Sequence, residues 1–324
     1  MIKLAKEYNT PLYVIITTIL VFFNGLMLIF TKEILEGAKF GLLLWYNKVL
    51  PSLFPFMVFT SMLIYTGFPK TMGRVSAPFC KRIFNTSGEG GFAIVIGLLS
   101  GCPLGAKTAC DLYKDGLVTK NEAGRLVMFC NNTGPLFVLG TVGEGIFGNS
   151  GIGIKLLLVQ YISALIIGIF LGICSKTVAL KKEKGFTPPM ELTKALSNSV
   201  GSAVNSITLV GGFIVFFAVV AVCLEKSGAM DLGAKILSPF IADMSIGKGF
   251  IYGILEVTGG VSRIGHSYGL AAALIAWGGL SIHAQSAAFI AEAGLSVKKY
   301  LLSKAIQGFI AFFVWQIGNS FGIL

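Results

Sequence analysis

The sequence predicts an all-α polytopic membrane protein: an N-terminal anchor helix, then two inverted-topology repeats. Each repeat has an interfacial helix, a re-entrant helical hairpin and three spanning helices, one of them broken. Three observations predict this. The 324 residues are 54% hydrophobic and only 13% charged, with a mean hydropathy of +0.80, whereas charged residues make up about a quarter of a soluble domain. Long apolar runs recur with short polar stretches between them. Two of the runs are interrupted in corresponding places by helix-breaking polar clusters, Gly97 to Lys107 and Gly253 to Arg263, each following a Gly-Phe pair (Gly91-Phe92 and Gly249-Phe250).

The arm ahead of each break is roughly nine residues, or about 14 Å, near half of a hydrocarbon core of about 30 Å. Backbone left bare at that depth costs several kcal/mol per unsatisfied group, so such breaks belong where protein encloses a cavity. Paired breaks in two halves are the mark of a secondary transporter's substrate site.

The net charge of +11 would suggest nucleic acid in a soluble chain. Here the basic residues lie between apolar spans and are read as topology determinants, so no nucleic-acid partner is expected. The six cysteines are scattered without metal-ligand spacing and read as reduced packing residues.

Taken in order, Thr10 to Phe30 is too long for a signal-peptide core and lacks a cleavage site, so it is expected to stay as an uncleaved anchor. Ile34 to Leu50 is amphipathic, with Trp45 and Tyr46, and reads as a helix lying on the membrane surface. Pro51 and Pro55 introduce a span to Phe68, and Pro69 to Gly91 reads as a basic loop. Phe92 to Tyr113 is the first hairpin. The apolar segment Ala123 to Ile146 should unwind at Asn131-Asn132-Thr133-Gly134-Pro135, because Pro135 removes a donor and clashes with the preceding turn. Ile152 to Ser175 spans, and the basic stretch Lys176 to Lys194 separates the halves. The second half repeats the order: a polar-faced helix (Glu191 to Asn205), a span (Ile207 to Leu224), the loop Glu225 to Lys248, the hairpin Phe250 to Arg263, a span with a polar centre (Tyr268 to Glu292), and a last span (Tyr300 to Phe321).

The resulting divisions are residues 1–31 (anchor), 32–176 (first repeat), 177–190 (cytoplasmic linker) and 191–324 (second repeat). Placing the N-terminus, Lys70 to Arg82, Lys114 to Arg125, Lys176 to Lys194 and Lys298-Lys299 on one side makes that side far the more basic, hence cytoplasmic. Each half crosses an odd number of times, so the hairpins enter from opposite faces and meet at the midplane.

No catalytic constellation, metal-spaced cluster or nucleotide fingerprint is present, and no enzyme activity is expected. The candidate binding groups are polar residues at membrane depth. Ser100, Gly101, Cys102 and Pro103 precede a second arm whose N-terminus, at Gly105, carries partial positive charge, and Lys107 adds a full one. Alternatively these residues form a packing kink and Lys107 snorkels to the interface. Asn131, Asn132 and Thr133 offer donors and acceptors, or satisfy their own kink. Thr258, Gly259 and Ser262 supply hydroxyl and backbone groups opposite the first tip, with Ser281, His283 and Gln285 on the facing helix. Glu256 could hold a cation, carry a coupling proton, contact substrate, or pair with Arg263. His283 could equally be a hydrogen-bonded core residue.

Ser100 to Lys107, Asn131 to Phe137, Leu255 to Gly260 and Gly279 to Ser286 together resemble the YlbJ-type sporulation integral membrane proteins. These belong to the nucleoside-recognition (Gate) group and are distantly similar to concentrative nucleoside transporters. The resemblance covers nearly the whole chain and implies transport of dipicolinic acid across the outer forespore membrane during endospore formation. For a pyridine dianion, two half-helix N-termini and Lys107 would meet the carboxylates. The partners expected are therefore a small anion or a nucleoside and the lipid bilayer, with a homo-oligomer compatible with the sequence; no cofactor is expected beyond a coupling ion, H+ or Na+, and no metal site. A non-transporting sporulation scaffold is the third reading.

Overall fold

The computed structural model describes residues 11–175, 190–241 and 243–322, which form helices and turns without a strand. The N-terminal ten residues and most of the basic linker, 176–189, lie outside the described residues.

Helix α1 (Pro11–Ile29) is apolar apart from a few residues whose side chains bond back into it: Thr18 Oγ1 donates to the Val14 carbonyl and Asn24 Nδ2 to the Leu20 carbonyl, both at 2.8 Å. The chain then bends by 101° into α2 (Thr31–Leu44), which continues through a π-wound turn, Trp45–Val49, into α3 (Leu50–Tyr65). Pro51 supplies no N–H, and one wider turn, closed by the Leu50 N–H on the Trp45 carbonyl, lets the helix run on. The surface helix expected ahead of the first span is thus the first part of one continuous helix. The same correction applies to the second half, where Glu191 to Asn205 and Ile207 to Leu224 fuse into α9 (Leu192–Lys226, 35 residues). Ser206 does not break it, because its hydroxyl bonds the Ser202 carbonyl within the helix.

Helix α9 is about 52 Å long, and Thr31–Tyr65 matches it and runs antiparallel along it. Lys226 pairs with Glu33 at one end (3.1 Å), Trp45 Nε1 donates to the Ile207 carbonyl midway (3.0 Å), Met57 packs with Ala203, and the Met190 N–H reaches the Tyr65 carbonyl at the other end (3.1 Å).

The segment expected as a basic loop after the first span contains the helix α4 (Phe68–Phe84), turned 84° from α3 after Gly67 at φ +78°. Its basic residues form the polar face of an amphipathic helix that buries Gly73, Cys80 and Phe84. The expected Glu225 to Lys248 loop likewise contains α10 (Ala229–Leu237), following Gly228 at φ +74°.

Helix is interrupted at the polar clusters of both halves. Helices α5 (Gly88–Leu99) and α6 (Leu104–Lys114) flank Ser100 to Pro103; α7 (Lys120–Cys130) and a π-helix (Leu136–Ile146) flank Asn131 to Pro135; α8 (Ser150–Ile173) follows. In the second half α11 (Met244–Leu255) and α12 (Val257–Val261) meet at Glu256, α13 (Tyr268–Trp277) and α14 (Leu280–Glu292) at Gly278-Gly279, and α15 (Val297–Ser320) ends the described chain. Among the described residues, by length and composition, four helices can cross a membrane, Ser150–Ile173, Leu192–Lys226, Tyr268–Glu292 and Val297–Ser320, or up to six elements if each bent pair is one span.

Each half contributes to the other's core. Phe92, Ala109 and Leu126 share an apolar cluster with Ile290 and Tyr300, and Val138 and Leu156 share another with Val257, Leu274 and Trp315.

Candidate functional site

Each break sits against the break of its neighbouring span. Gly101 has φ +88°, a conformation that suits glycine, and a Cβ there would stand 2.5 Å from the Gly134 nitrogen. Gly279, at φ +85°, would place one 3.1 Å from the Leu255 carbonyl oxygen and 3.2 Å from the Val257 nitrogen, on either side of Glu256. The arms fold back on themselves: Gly97 touches Gly105, and Gly253 and Gly249 touch Gly260 and Arg263. Carbonyls at the ends of the first arms lack helical partners, and an aromatic donor meets one in each half. Tyr161 Oη donates to the Leu98 carbonyl at 2.5 Å and Trp277 Nε1 to the Ile254 carbonyl at 3.1 Å.

Between the breaks runs a buried polar seam. Asn131, 1% exposed, donates through Nδ2 to Ser286 Oγ (2.8 Å) and Tyr300 Oη (2.7 Å), and its Oδ1 accepts the Ala106 N–H at 3.4 Å. Thr133 Oγ1 donates to the Ile275 carbonyl at 2.8 Å, and the Thr133 carbonyl accepts from Gln160 Nε2 at 2.7 Å. Gln307 Nε2 donates to Asn132 Oδ1 at 2.9 Å, and Asn132 Nδ2 to the Phe129 carbonyl at 2.7 Å. Lys304 Nζ donates to the Asn131 carbonyl at 2.8 Å and to Gln307 Oε1. His283 Nδ1 and Tyr300 Oη lie 2.9 Å apart, and the His283 ring packs edge-on to Trp277. Cys102, at the first tip, has the Thr133 hydroxyl beside it.

The structure therefore brings Cys102, Asn131, Asn132, Thr133 and His283 into one centre. Ser100 is buried with its hydroxyl unpartnered. Ser281 and Gln285, both buried on α14, bond each other at 3.4 Å. Lys107 is buried and held by Asp111 at 2.6 Å, so it neither snorkels nor stands as a free cation. Glu256 is not paired with Arg263. Its carboxylate caps α12, accepting the Thr258 N–H at 2.9 Å and the Gly259 N–H at 2.7 Å. Arg263 lies 4.1 Å over the Tyr252 ring and donates to the Gly259 carbonyl, which also takes the Ser262 hydroxyl. The pairing loses to local geometry: Glu256 stands at the cap position of the helix that Arg263 follows.

Ser286 closes the Gly279 to Ser286 motif, and four further residues of the seam escape a reading of motifs: Gln160, Tyr300, Lys304 and Gln307. The signal for three of them is their polarity inside an apolar span; Gln160 and Gln307 even occupy the same place, the eleventh residue, in two 24-residue helices. Two cavities of about 830 and 670 Å³ lie elsewhere, along the α9 face that meets α1, α2 and α3, and share Trp45 and Thr208.

Residues 47–183 match the family described as Gate, nucleoside recognition. The chain is 27% identical to the sporulation integral membrane protein YlbJ of Bacillus subtilis (strain 168) over 338 residues, covering 94% of this chain and 82% of the relative. No solved structure matches. The chain is a multi-pass membrane protein that resembles the YlbJ-type sporulation integral membrane proteins and whose residues 47–183 match the nucleoside-recognition (Gate) family.

Proposed function

We propose that the chain is a secondary transporter of a small organic anion, dipicolinate in an endospore former, working by alternating access at a site between two re-entrant hairpins. The observation that carries this reading is the polar seam at the breaks, where Asn131 of one half bonds Ser286 and Tyr300 of the other. Amides, hydroxyls and a lysine are costly at membrane depth and concentrate on substrate or ion pathways. Two antiparallel 35-residue helices and matching breaks support two inverted repeats, and the divisions set out above and a cytoplasmic N-terminus are part of the same proposal. The printed name of the relative, a sporulation integral membrane protein, supports a sporulation membrane as location, which this reading takes to be the outer forespore membrane.

In this reading Ser100 to Gly105, Asn131 to Thr133, Thr258, Gly259, Ser262, Ser281 and Gln285 line the substrate path, and Lys107 acts within its pair with Asp111. Glu256 and His283 are the coupling candidates for H+ or Na+. A nucleoside substrate is the second reading, favoured by four buried amides, Asn131, Asn132, Gln160 and Gln307, which suit base edges.

Uptake of labelled dipicolinate and uridine into proteoliposomes, with and without imposed H+ and Na+ gradients, tests the proposal. Dipicolinate uptake that exceeds uridine uptake and responds to a gradient is the expected result. Uridine uptake alone moves the assignment to nucleosides, and no flux of either leaves the scaffold reading.

A further inference from the structure

Lys304 is a buried lysine for which the described residues supply no opposite charge. It is 2% exposed, and among the described residues its ammonium meets only two neutral acceptors, the Asn131 carbonyl and Gln307 Oε1. None of the ion pairs among the described residues includes it, whereas the other deeply buried lysine, Lys107, has Asp111. An ammonium carries three donors, so one is unclaimed. Removing such a charge from water costs several kcal/mol, and neutral dipoles return only part of it. Its position is also telling. It donates straight into the Asn131 break, which is linked through Asn131 Nδ2 and Tyr300 Oη to His283 of the second half; His283 Nε2 is buried without a partner, as is Ser100 Oγ on the tip that packs on Gly134.

We propose that Lys304 is the anion-recognition residue of the transport site, its free N–H and charge taking one carboxylate group of the substrate. This rests on the reading of the centre as a transport site and assigns its charge selectivity to a residue of the last helix rather than to Lys107. The substrate class is then a carboxylate, the bound anion replacing the missing counter-charge, with the buried His283 ring nitrogen and Ser100 hydroxyl as further partners.

The test is titration of the full-length purified protein with dipicolinate and, separately, uridine, for wild type and for K304M, K304Q and K304R, with ligand-free melting and size-exclusion profiles recorded for each. A charge-assisted hydrogen bond lost with its charge corresponds to roughly 30-fold weaker binding. K304M and K304Q should lose dipicolinate affinity by about that factor while K304R stays within about ten-fold of wild type. Monodisperse K304M binding dipicolinate like wild type overturns the role of Lys304 and leaves the transport reading standing. K304R falling as far as K304M removes the charge argument, and aggregation of both neutral variants makes Lys304 a structural residue. Wild type that binds uridine but no dipicolinate refutes the anion reading itself, and this inference with it.

Discussion

Gly97→Ala probes how tightly the first hairpin is seated on the break beside it. A Cβ at Gly97 would stand 1.8 Å from the Cys130 carbonyl oxygen, and one at Gly105 on the returning arm 2.1 Å from the same oxygen. Ordinary contact begins at 3.4 Å, so the substitution requires α5 and the end of α7 to part by about 1.6 Å. That movement draws Gly101 away from Gly134 and stretches the Ala106 N–H bond to Asn131, already 3.4 Å long. Overpacking costs about 1–3 kcal/mol when side chains can yield. Both sides here are backbone, which puts the cost near about 3 kcal/mol, or a melting temperature lower by roughly 6–12 °C. The control is Gly124→Ala, on α7 with nothing within 4 Å of the added carbon, where better helix propensity should add about 0.5–1 kcal/mol. Thermal melting of purified protein in detergent reads both. A Gly97→Ala protein melting within about 2 °C of wild type would show that the hairpin does not rest on the Cys130 carbonyl.

Glu256→Ala should cost about 1 kcal/mol by exposing the Thr258 and Gly259 N–H groups. In a double-mutant cycle with Arg263→Ala the two melting shifts should add, and a coupling above about 0.5 kcal/mol would restore the ion pair. Gln307→Leu leaves Asn132 Oδ1 and Lys304 each short of a partner in a fully buried place. A destabilisation of about 2–4 kcal/mol is expected, and a neutral result would mean that the seam is hydrated. Glu122, in the first turn of α7 just ahead of the apolar stretch that begins at Ala123, is buried with Ser87 N–H and Oγ on one carboxylate oxygen, each at 2.6 Å, and its other oxygen unpartnered. Burial raises its pKa above the usual carboxylate range, outweighing the Ser87 hydrogen bonds. Its contribution to stability is therefore present below the unfolded carboxylate pKa and is lost as pH rises through the raised one. Melting temperature should fall across that interval in wild type, and Glu122→Gln should flatten the profile; an unchanged slope would contradict the assignment.

Much of this architecture is written locally. The breaks at Ser100 to Pro103, Asn131 to Pro135 and Gly278-Gly279 are legible because glycine, proline and polar residues in an apolar run interrupt helix wherever they fall. Helices α4 and α10 were hidden for a different reason: Lys70, Arg74, Lys81 and Arg82 read equally as loop charges and as one face of a helix, and only the apolar face against α5 decides. The continuity of Thr31–Tyr65 depends on one π turn that no single residue announces. Within the site, Lys107 and Asp111 stand four residues apart, a spacing that foretells their pairing. Glu256 at a break before Thr258-Gly259 is likewise an N-cap pattern. Lys304, Gln307 and Tyr300 reach the centre only through tertiary packing of α15 on α7 and α8, which no local pattern encodes.

The most direct examination of the carrier proposal is side-specific labelling of Ser100→Cys and Thr258→Cys, each in a background without other cysteines, in oriented proteoliposomes. Alternating access predicts that a membrane-impermeant thiol reagent reaches each position from both faces and that dipicolinate slows both reactions. Labelling of each position from one face only, indifferent to dipicolinate, would contradict it.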